Sequence, residues 1–239
     1  MEKLGFSAVF HQPFRLMTMQ GDAMRAVIAV NGKIDDYAEL AGFLRPDDHL
    51  IGADGGTLHL LAIDRRPNVV VGDLDSLPQE TVTSLVAAGI AVERHKPEKD
   101  QTDLELALER ALEDGADEIV LVGALGGRLD QTLANLLIVA QRAWPVPVRV
   151  VEGEQVAEVL RGPGSLALHG PAGGTVSAIP LSAAVTGITY TGLEYPLHDA
   201  TLRFGSTRGV SNVLATSPAS IRIDSGILLV IHSREASVR

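Results

Sequence analysis

Cysteine is absent from this chain of 239 residues, which excludes disulfide bonds and thiolate metal sites. The absence fits a reducing compartment, and we predict a cytoplasmic protein. Lysine occurs only four times and the net charge is −10, so the chain is a poor candidate for binding nucleic acid. No apolar run approaches the length of a membrane span. We therefore expect neither a nucleic-acid partner nor a membrane partner.

Two different patterns divide the chain. From 26 to 151, short apolar runs alternate with helical stretches, which favours a Rossmann-like α/β domain with an open, mostly parallel sheet and flanking helices. From 152 to 239, β-type runs are separated by Gly, Pro, Asn and Asp, which predicts a smaller all-β domain, a sandwich or a barrel. Residues 1–25 match neither pattern and lack the features of a signal peptide, so we interpret them as an N-terminal extension.

Six apolar runs of the first pattern are predicted strands: 26–30, 50–53, 69–72, 90–95, 118–123 and 146–151. The segment TDLELALERALEDG predicts an amphipathic helix, with Thr102 and Glu105 spaced as a capping box. The segment 129–143 is apolar over most of its helical surface, so we expect a deeply buried helix there. Near the C-terminus, the triplet at 224–226 predicts a hairpin turn.

The segment VVVGDLDSLPQE raises a chemical question, because two carboxylates stand where a buried strand is predicted to end. Asp73 and Asp75 alternate along the chain, so both can face one ligand if the backbone stays extended. Like charges this close repel each other, and burial makes the repulsion worse. Mg²⁺ would reverse that balance, since it prefers oxygen ligands and shares the phosphates of a substrate. The structural alternative is a solvated loop with an N-capping aspartate.

A second motif, GADGGT, follows another predicted strand. Its glycine pair, Gly55 and Gly56, would let backbone N–H groups approach an anion at a helix N-terminus, beside Asp54. The structural alternative is a tight turn in which Asp54 is an N-cap.

Two further motifs, KPEKDQTDLE and GALGGRLDQT, also follow predicted strands. In the first, Lys99 lies near Asp100 and Asp103 in the sequence. The lysine can neutralise phosphate charge, and the two carboxylates can bind a metal ion. In the second, a glycine pair precedes Arg128, a phosphate clamp, and Asp130 at a helix start. Each motif alone also fits an ordinary polar loop. Because ligands collect beyond the carboxyl ends of such strands, the four motifs together predict a site for Mg²⁺ and a polyphosphate.

In this order and spacing, GADGG, GDLDS, KDQTDLELAL and GGRLDQTLANL closely resemble the motifs of the thiamine pyrophosphokinase family, over about residues 26–239. The resemblance implies an α/β domain for ATP and Mg²⁺ (26–151) followed by a thiamine-binding β-sandwich (152–239). It also implies a homodimer with its sites at the subunit interface. The implied reaction transfers a diphosphate from the co-substrate ATP to the thiamine hydroxyl, which gives thiamine diphosphate and AMP.

The resemblance carries specific roles over to residues of this chain. The implied Mg²⁺ ligands are Asp73, Asp75 and Asp100, and the implied catalytic residues are these three with Asp130 and Arg128. The implied contacts to ATP and its phosphates are Asp54, Gly55, Gly56, Lys99, Thr102, Asp103, Gly126, Gly127 and Arg128. The implied thiamine contacts are Ser211, Asn212 and Gln131.

Two questions stay open at the level of the sequence. Either Asp100 or Asp130 could accept the proton of the attacking hydroxyl group. Another Mg-dependent phosphoryl or nucleotidyl transferase would use the same acids with a different acceptor, and a non-catalytic sensor of nucleotide or thiamine diphosphate could keep the fold without the chemistry.

Overall fold

The structure is a computed structural model that describes residues 23–96 and 100–234. Most of the predicted N-terminal extension, residues 1–22, therefore lies outside the described residues. The strands are β1 (Arg25–Ala29), β2 (His49–Ala53), β3 (Val69–Gly72), β4 (Ala91–Arg94), β5 (Glu118–Val122), β6 (Val148–Glu152), β7 (Gln155–Arg161), β8 (Gly164–Leu168), β9 (Thr175–Pro180), β10 (Ala184–Thr191), β11 (Ala200–Arg203), β12 (Asn212–Val213), β13 (Ala219–Ile223) and β14 (Ile227–Ser233). The α-helices are α1 (Tyr37–Phe43), α2 (Thr57–Leu61), α3 (Gln79–Ala87), α4 (Asp103–Glu113) and α5 (Leu129–Gln141), and a short 3₁₀ helix (Asp54–Gly56) precedes α2.

A single ten-stranded sheet runs through the molecule in the order β12-β9-β14-β7-β6-β5-β1-β2-β3-β4. The strands from β1 to β6 pair in parallel, as the sequence predicts. β6 then pairs with β7 in antiparallel fashion, so backbone hydrogen bonding continues from the first half of the chain into the second. The order reverses between β1 and β5, which is where open α/β sheets form a ligand crevice.

The central strands are apolar on both faces because helices cover both faces. All five residues of β1 are buried. One face packs against α4, whose buried stripe includes Leu104 and Leu108. The other face packs against Leu40 of α1 and Leu60 of α2. The capping box of α4 is confirmed, since the Glu105 N–H donates to Thr102 Oγ1 at 3.2 Å and the Thr102 N–H donates to Glu105 Oε2 at 3.0 Å.

The second half of the chain forms a β-sandwich. A separate four-stranded antiparallel sheet has the order β11-β10-β13-β8. Its inward residues, such as Ile188 and Ile221, share one core with Val176 and Val230 of the large sheet. Within the described residues 152–234 there is no helix. The predicted fold class is therefore confirmed: an α/β half with flanking helices, followed by a smaller all-β half.

The prediction that α5 is deeply buried is wrong. Leu129, Leu133 and Leu137 are 83%, 56% and 44% exposed, whereas Ile138 and Val139 face the core. The three leucines recur every four residues, so they form one apolar stripe on the outer face of the helix. The periodicity of the sequence identifies an apolar surface, and it does not identify whether the same chain covers that surface.

The predicted hairpin at 224–226 is also wrong. β13 pairs with β8 and β10, whereas β14 pairs with β7 and β9, so the two strands belong to different sheets. The turn carries the chain across the sandwich. Gly226 has φ +94°, a conformation that suits a sharp corner in either arrangement.

Across the described residues, no helix combines the length and the apolar character needed to cross a lipid bilayer.

Candidate active site

Three aspartates from separate elements meet at the carboxyl edge of the parallel strands. Asp54 follows β2, Asp73 follows β3, and Asp103 is the first residue of α4. One carboxylate oxygen of each lies within 4.8 Å of those of the other two. All three line a cavity of about 500 Å³, which we call the acidic cavity. Oxygen ligands at this spacing are the donor set that Mg²⁺ prefers.

Asp54 is the most deeply placed of the three. It is 7% exposed and has φ +46°, a left-handed conformation that Asp adopts more readily than most residues. Its Oδ1 atom is buried and has no hydrogen-bond partner among the described residues. A buried carboxylate oxygen without a donor is costly, so this atom is suited to bind a cation.

Gly72 makes the approach of the three carboxylates possible. It has φ +149°, and a Cβ placed on it would lie 3.0 Å from Asp54 Cβ and 3.1 Å from Asp103 Oδ1. A side chain at this position would contact two of the acids tightly, so their side chains would have to shift slightly. The glycine that begins the GDLDS motif is therefore favoured by its backbone conformation and leaves room for the acids.

Six other residues with predicted roles also line the acidic cavity: Asp75, Thr102, Gly126, Gly127, Arg128 and Gln131. Asp75 lies at the exposed side, where its N–H donates to Asp73 Oδ1 at 3.2 Å and its Oδ1 accepts from Ser76 Oγ at 3.1 Å. The lining of the cavity thus combines carboxylates with a glycine loop and a guanidinium group. That combination can bind a metal ion together with phosphates.

Arg128 and Asp130 form an exposed ion pair at the mouth of the cavity. Arg128 Nε and Nη2 donate to the two carboxylate oxygens of Asp130, at 3.1 and 2.6 Å. The hydrogen bonds from Arg128 lower the pKa of Asp130, and the same pairing raises the pKa of Arg128. Asp130 is therefore a weaker proton acceptor while this ion pair is intact than it would be without Arg128.

Four other predicted site residues of the described α/β half do not line this cavity: Gly55, Gly56, Asp100 and Asp130. Gly55 and Gly56 are buried, and a Cβ on either would collide with the side chain of Asn31 or with the end of β1. The glycine pair therefore allows the 3₁₀ helix to pack closely against the sheet. Asp100 is exposed, three residues before α4, and is not among the lining residues. Lys99 lies outside the described residues.

The two predicted thiamine contacts in the β-sandwich are also away from the acidic cavity of the same chain. Ser211 is exposed, has φ +61°, and its N–H donates to Ser177 Oγ at 3.1 Å. Asn212 is 5% exposed. Its side chain donates to the Tyr195 carbonyl at 2.7 Å and accepts from the Tyr195 N–H at 3.0 Å. The Asn212 amide therefore holds the turn that carries the exposed Tyr195.

Four polar residues that line the acidic cavity have no predicted role: Asn31, Ser76, Gln101 and Asn135. Asn31 carries a signal that could have found it, because it follows β1 at the same edge as the four motifs. Asn135 is the polar exception on the buried face of α5, and its Nδ2 donates to the Ala124 carbonyl at 2.7 Å. It thereby anchors the loop that leads to Gly126 and Gly127.

Family models match both halves of the chain. The model described as thiamin pyrophosphokinase, catalytic domain, matches residues 41–146. The model described as thiamin pyrophosphokinase, vitamin B1 binding domain, matches residues 166–228. A curated relative, the thiamine pyrophosphokinase of Bacillus subtilis, is 31% identical over 210 residues, which cover 87% of this chain and 98% of the relative.

Solved structures agree with the family models. A thiamine pyrophosphokinase from Bacillus subtilis superposes with a TM-score of 0.78 at 30% identity, covering 88% of this chain and 99% of that one. A thiamin pyrophosphokinase from Geobacillus thermodenitrificans has a TM-score of 0.72 at 33% identity, covering 90% and 99%. These neighbours share both the α/β half and the β-sandwich with this chain.

Proposed function

We propose that this chain, which belongs to the thiamine pyrophosphokinase family, transfers the diphosphate group of ATP to the hydroxyl group of thiamine. The products are thiamine diphosphate and AMP. The observation that carries the proposal is the acidic cavity, where three carboxylates from different elements face a glycine loop and Arg128. Transfer of a phosphate group requires carboxylates that bind a metal ion next to hydrogen-bond donors that bind the phosphates.

The donor set fits Mg²⁺, and we assign the ion to Asp54, Asp73 and Asp103. The buried Asp54 Oδ1 without a hydrogen-bond donor supports this assignment. When bound, Mg²⁺ neutralises charge on the phosphates of ATP and acts as a Lewis acid. The sequence motifs also assign ligand roles to Asp75 and Asp100, and we keep both as proposed outer ligands. Of these two, Asp75 is the one that lines the cavity.

The phosphates of ATP lie, in this proposal, between the carboxylates and the loop of Gly126 and Gly127. Glycine residues allow backbone N–H groups to come close to phosphate oxygens. Arg128 supplies a planar donor group for the phosphate that leaves with AMP. It can turn from Asp130 to a phosphate at little cost, since both side chains are exposed. Thr102 and Lys99 complete the proposed phosphate contacts.

The chemical step joins the oxygen of the thiamine hydroxyl to the β-phosphorus of ATP. The bond from the β-phosphorus to the oxygen that bridges to the α-phosphorus breaks, and that oxygen leaves with AMP. The hydroxyl proton departs with little help if the transition state is loose, so positioning dominates. Asp100 or Asp130 accepts that proton in this proposal, and Asp130 becomes a stronger acceptor once Arg128 turns away, because the ion pair with Arg128 lowers its pKa.

We also propose that the active unit is a homodimer. The exposed stripe of Leu129, Leu133 and Leu137 begins beside Arg128, at the mouth of the acidic cavity. An apolar stripe of this kind marks an interaction surface, and a second copy of the chain would cover it. The β-sandwich of that copy could then bring Ser211 and the Asn212 turn to the cavity, opposite Gln131.

The proposed division of labour follows the two halves of the chain. Residues 26–151 bind ATP and Mg²⁺, and residues 152–239 bind thiamine. The two family models match segments on either side of residue 151, which supports this boundary. A reducing compartment such as the cytoplasm suits a chain without cysteine.

Product analysis tests the proposed function. Purified protein is incubated with ATP, thiamine and Mg²⁺, and nucleotides and thiamine phosphates are measured together. Equal amounts of AMP and thiamine diphosphate, lost when the metal is chelated, are expected. ADP with thiamine monophosphate would instead show a one-phosphate kinase, and ATP binding without any product would show a sensor.

A further inference from the structure

His59 of α2 stands outside the acidic cavity, yet both of its ring nitrogens are engaged. Nε2 lies 3.0 Å from the Gly32 carbonyl oxygen, and Nδ1 lies 2.8 Å from Tyr37 Oη. A carbonyl oxygen can only accept, so Nε2 must carry a proton. In the neutral ring Nδ1 then accepts from the Tyr37 hydroxyl. Burial lowers the pKa of His59, which favours this neutral form, although the hydrogen bond to Gly32 acts in the opposite direction.

The carbonyl that His59 holds belongs to a tightly packed pair of loops. The Gly32 N–H donates to the Gly123 carbonyl at 2.8 Å, and the Lys33 N–H donates to the Leu125 carbonyl at 2.8 Å. A Cβ on Gly32 would overlap both of those carbonyl oxygens. The two loops therefore contact each other backbone to backbone, and a shift of Gly32 must displace the segment from Gly123 to Leu125.

Both loops line the acidic cavity. Asn31 and Gly32 contribute from the first loop, and Gly126 and Gly127 contribute from the second. A Cβ on Gly126 would lie only 2.7 Å from Lys33 Cβ, so the contact between the loops extends to the glycine pair itself. The glycine pair is the part of the cavity that we propose for the phosphates of ATP.

We infer that His59 is a positioning residue for the phosphate-binding loop, acting through the Gly32 carbonyl. The imidazole fixes the Asn31–Lys33 segment, and that segment fixes the backbone of the glycine loop. Tyr37 holds the ring in the orientation that this hydrogen bond needs. The inference rests on the proposed function, since it assigns the loop to ATP.

Two substitutions of His59 separate this role from simple packing. His59→Gln can place an amide N–H close to the position of Nε2 and so keep the donation to Gly32. His59→Asn is shorter, reaches only the region of Nδ1, and loses that donation. Each variant replaces the imidazole with a neutral amide, so the pair differs mainly in the hydrogen bond.

The measurement is the Kd for MgATP by calorimetry, together with the KM values for ATP and thiamine and the melting temperature. His59→Asn should raise the Kd and the KM for ATP about fivefold, as expected for the loss of one hydrogen bond, and leave the KM for thiamine unchanged. His59→Gln should restore both ATP values to within about twofold of wild type. A similar Kd for the two variants and wild type, with only the melting temperature lowered, would overturn the inference.

Tyr37→Phe provides a second test if His59→Asn does not fold. It keeps the imidazole and removes only the donor to Nδ1, so a rise in the MgATP Kd of about twofold is expected, and an unchanged Kd would count against the inference. Wild-type protein that binds MgATP but forms no thiamine diphosphate would refute the proposed function alone. An active wild-type enzyme whose variants at His59 bind MgATP normally would refute the role of His59 alone.

Discussion

At the scale of single residues, the proposed Mg²⁺ site predicts that a cation relieves repulsion among the carboxylates of the acidic cavity. Asp54 is buried near Asp73 and Asp103, and its Oδ1 has no donor among the described residues. A ligand that binds only the folded state raises stability by mass action. Binding of Mg²⁺ should therefore be visible as thermal stabilisation, without any measurement of turnover.

The substitution Asp54→Asn tests this directly. In chelator, the variant should melt above wild type, because one of three crowded charges is gone. With excess Mg²⁺, wild type should gain about 2–3 kcal/mol when the ion is at a hundred times its Kd, and the variant should gain little. Asp64→Asn is the matched control, since Asp64 is exposed and also has a positive φ. Equal Mg²⁺ responses in all three proteins would show that Asp54 is not a ligand.

Tyr190 offers a second residue-scale prediction. It is 4% exposed, its hydroxyl has no hydrogen-bond partner among the described residues, and burial raises its pKa to about 12. Removing an unpaired buried hydroxyl removes its desolvation cost. Tyr190→Phe should therefore raise the free energy of unfolding by about 1 kcal/mol in urea titrations. Tyr195→Phe, at an exposed ring, should change nothing, and a destabilised Tyr190→Phe would reveal a partner for the hydroxyl.

At the scale of elements, a charged network crosses the junction between the parallel and antiparallel parts of the large sheet. Arg149 of β6 pairs with Glu158 of β7 at 2.7 Å and with Glu118 of β5 at 2.5 Å. His232 of β14 contacts Glu158 at 3.1 Å. Burial alone would raise the pKa of Glu158, but the hydrogen bonds from His232 and Arg149 outweigh it and lower the pKa.

The lowered pKa of Glu158 determines the direction in which the stability of the protein changes with pH. A carboxyl group whose pKa falls on folding stabilises the protein above its unfolded pKa, about 4.3 for Glu, and this contribution disappears as the pH falls through the folded value. Wild type should thus lose stability between pH 5 and pH 3 more steeply than Glu158→Gln, by urea unfolding at each pH. Glu154→Gln, at an exposed turn, should follow wild type. Parallel curves for wild type and Glu158→Gln would contradict the assignment.

Much of the element-scale structure could be predicted from the sequence, for a physical reason. Runs such as VVVG are apolar on both faces, which suits a covered parallel strand, and the polar break after them marks the strand end. The capping box of α4 was also predictable, because its two residues are only three positions apart in the sequence. The turn at 224–226 could not be assigned, because a positive φ at Gly226 fits a hairpin and a sheet-to-sheet crossing alike.

The candidate site was predictable in part. The motifs predicted that acidic residues meet at the carboxyl edge of the sheet, because strand ends are encoded locally, and three aspartates lie together there. The grouping of Asp54 with Asp73 and Asp103 was not predictable, because it depends on the left-handed backbone at Asp54 and on the way α4 packs against the sheet. The hydrogen bonds of Asn212 to the Tyr195 backbone likewise join residues 17 apart in the chain.

At the scale of the whole molecule, the stripe of leucines on α5 is an apolar surface that a single copy leaves exposed. In a dimer, this stripe would be buried beside the mouth of the acidic cavity. A dimer of this kind would also explain why the predicted thiamine contacts of the β-sandwich do not line the acidic cavity of their own chain.

The substitution Leu133→Glu tests the dimer. A charge on the stripe of each copy should be buried against apolar surface, so the mass measured by light scattering at micromolar concentration should fall from two chains to one. Turnover should fall with it. Val86→Glu, at a position 57% exposed on α3, is the matched control and should leave the mass unchanged. If the Leu133→Glu protein has the same mass as wild type, the dimer interface does not include this stripe.

In the proposed reaction, the acidic cavity directs attack on the β-phosphorus of ATP. The most direct measurement uses ATP labelled at the β-phosphorus, with thiamine and Mg²⁺, and follows where the label goes in a single turnover of wild type and of Asp73→Asn. We expect the label to move into thiamine diphosphate in wild type, with unlabelled AMP released, at a rate at least about a hundredfold higher than in the variant. Label retained in ADP, or equal rates in the two proteins, would show that the acidic cavity does not direct this attack.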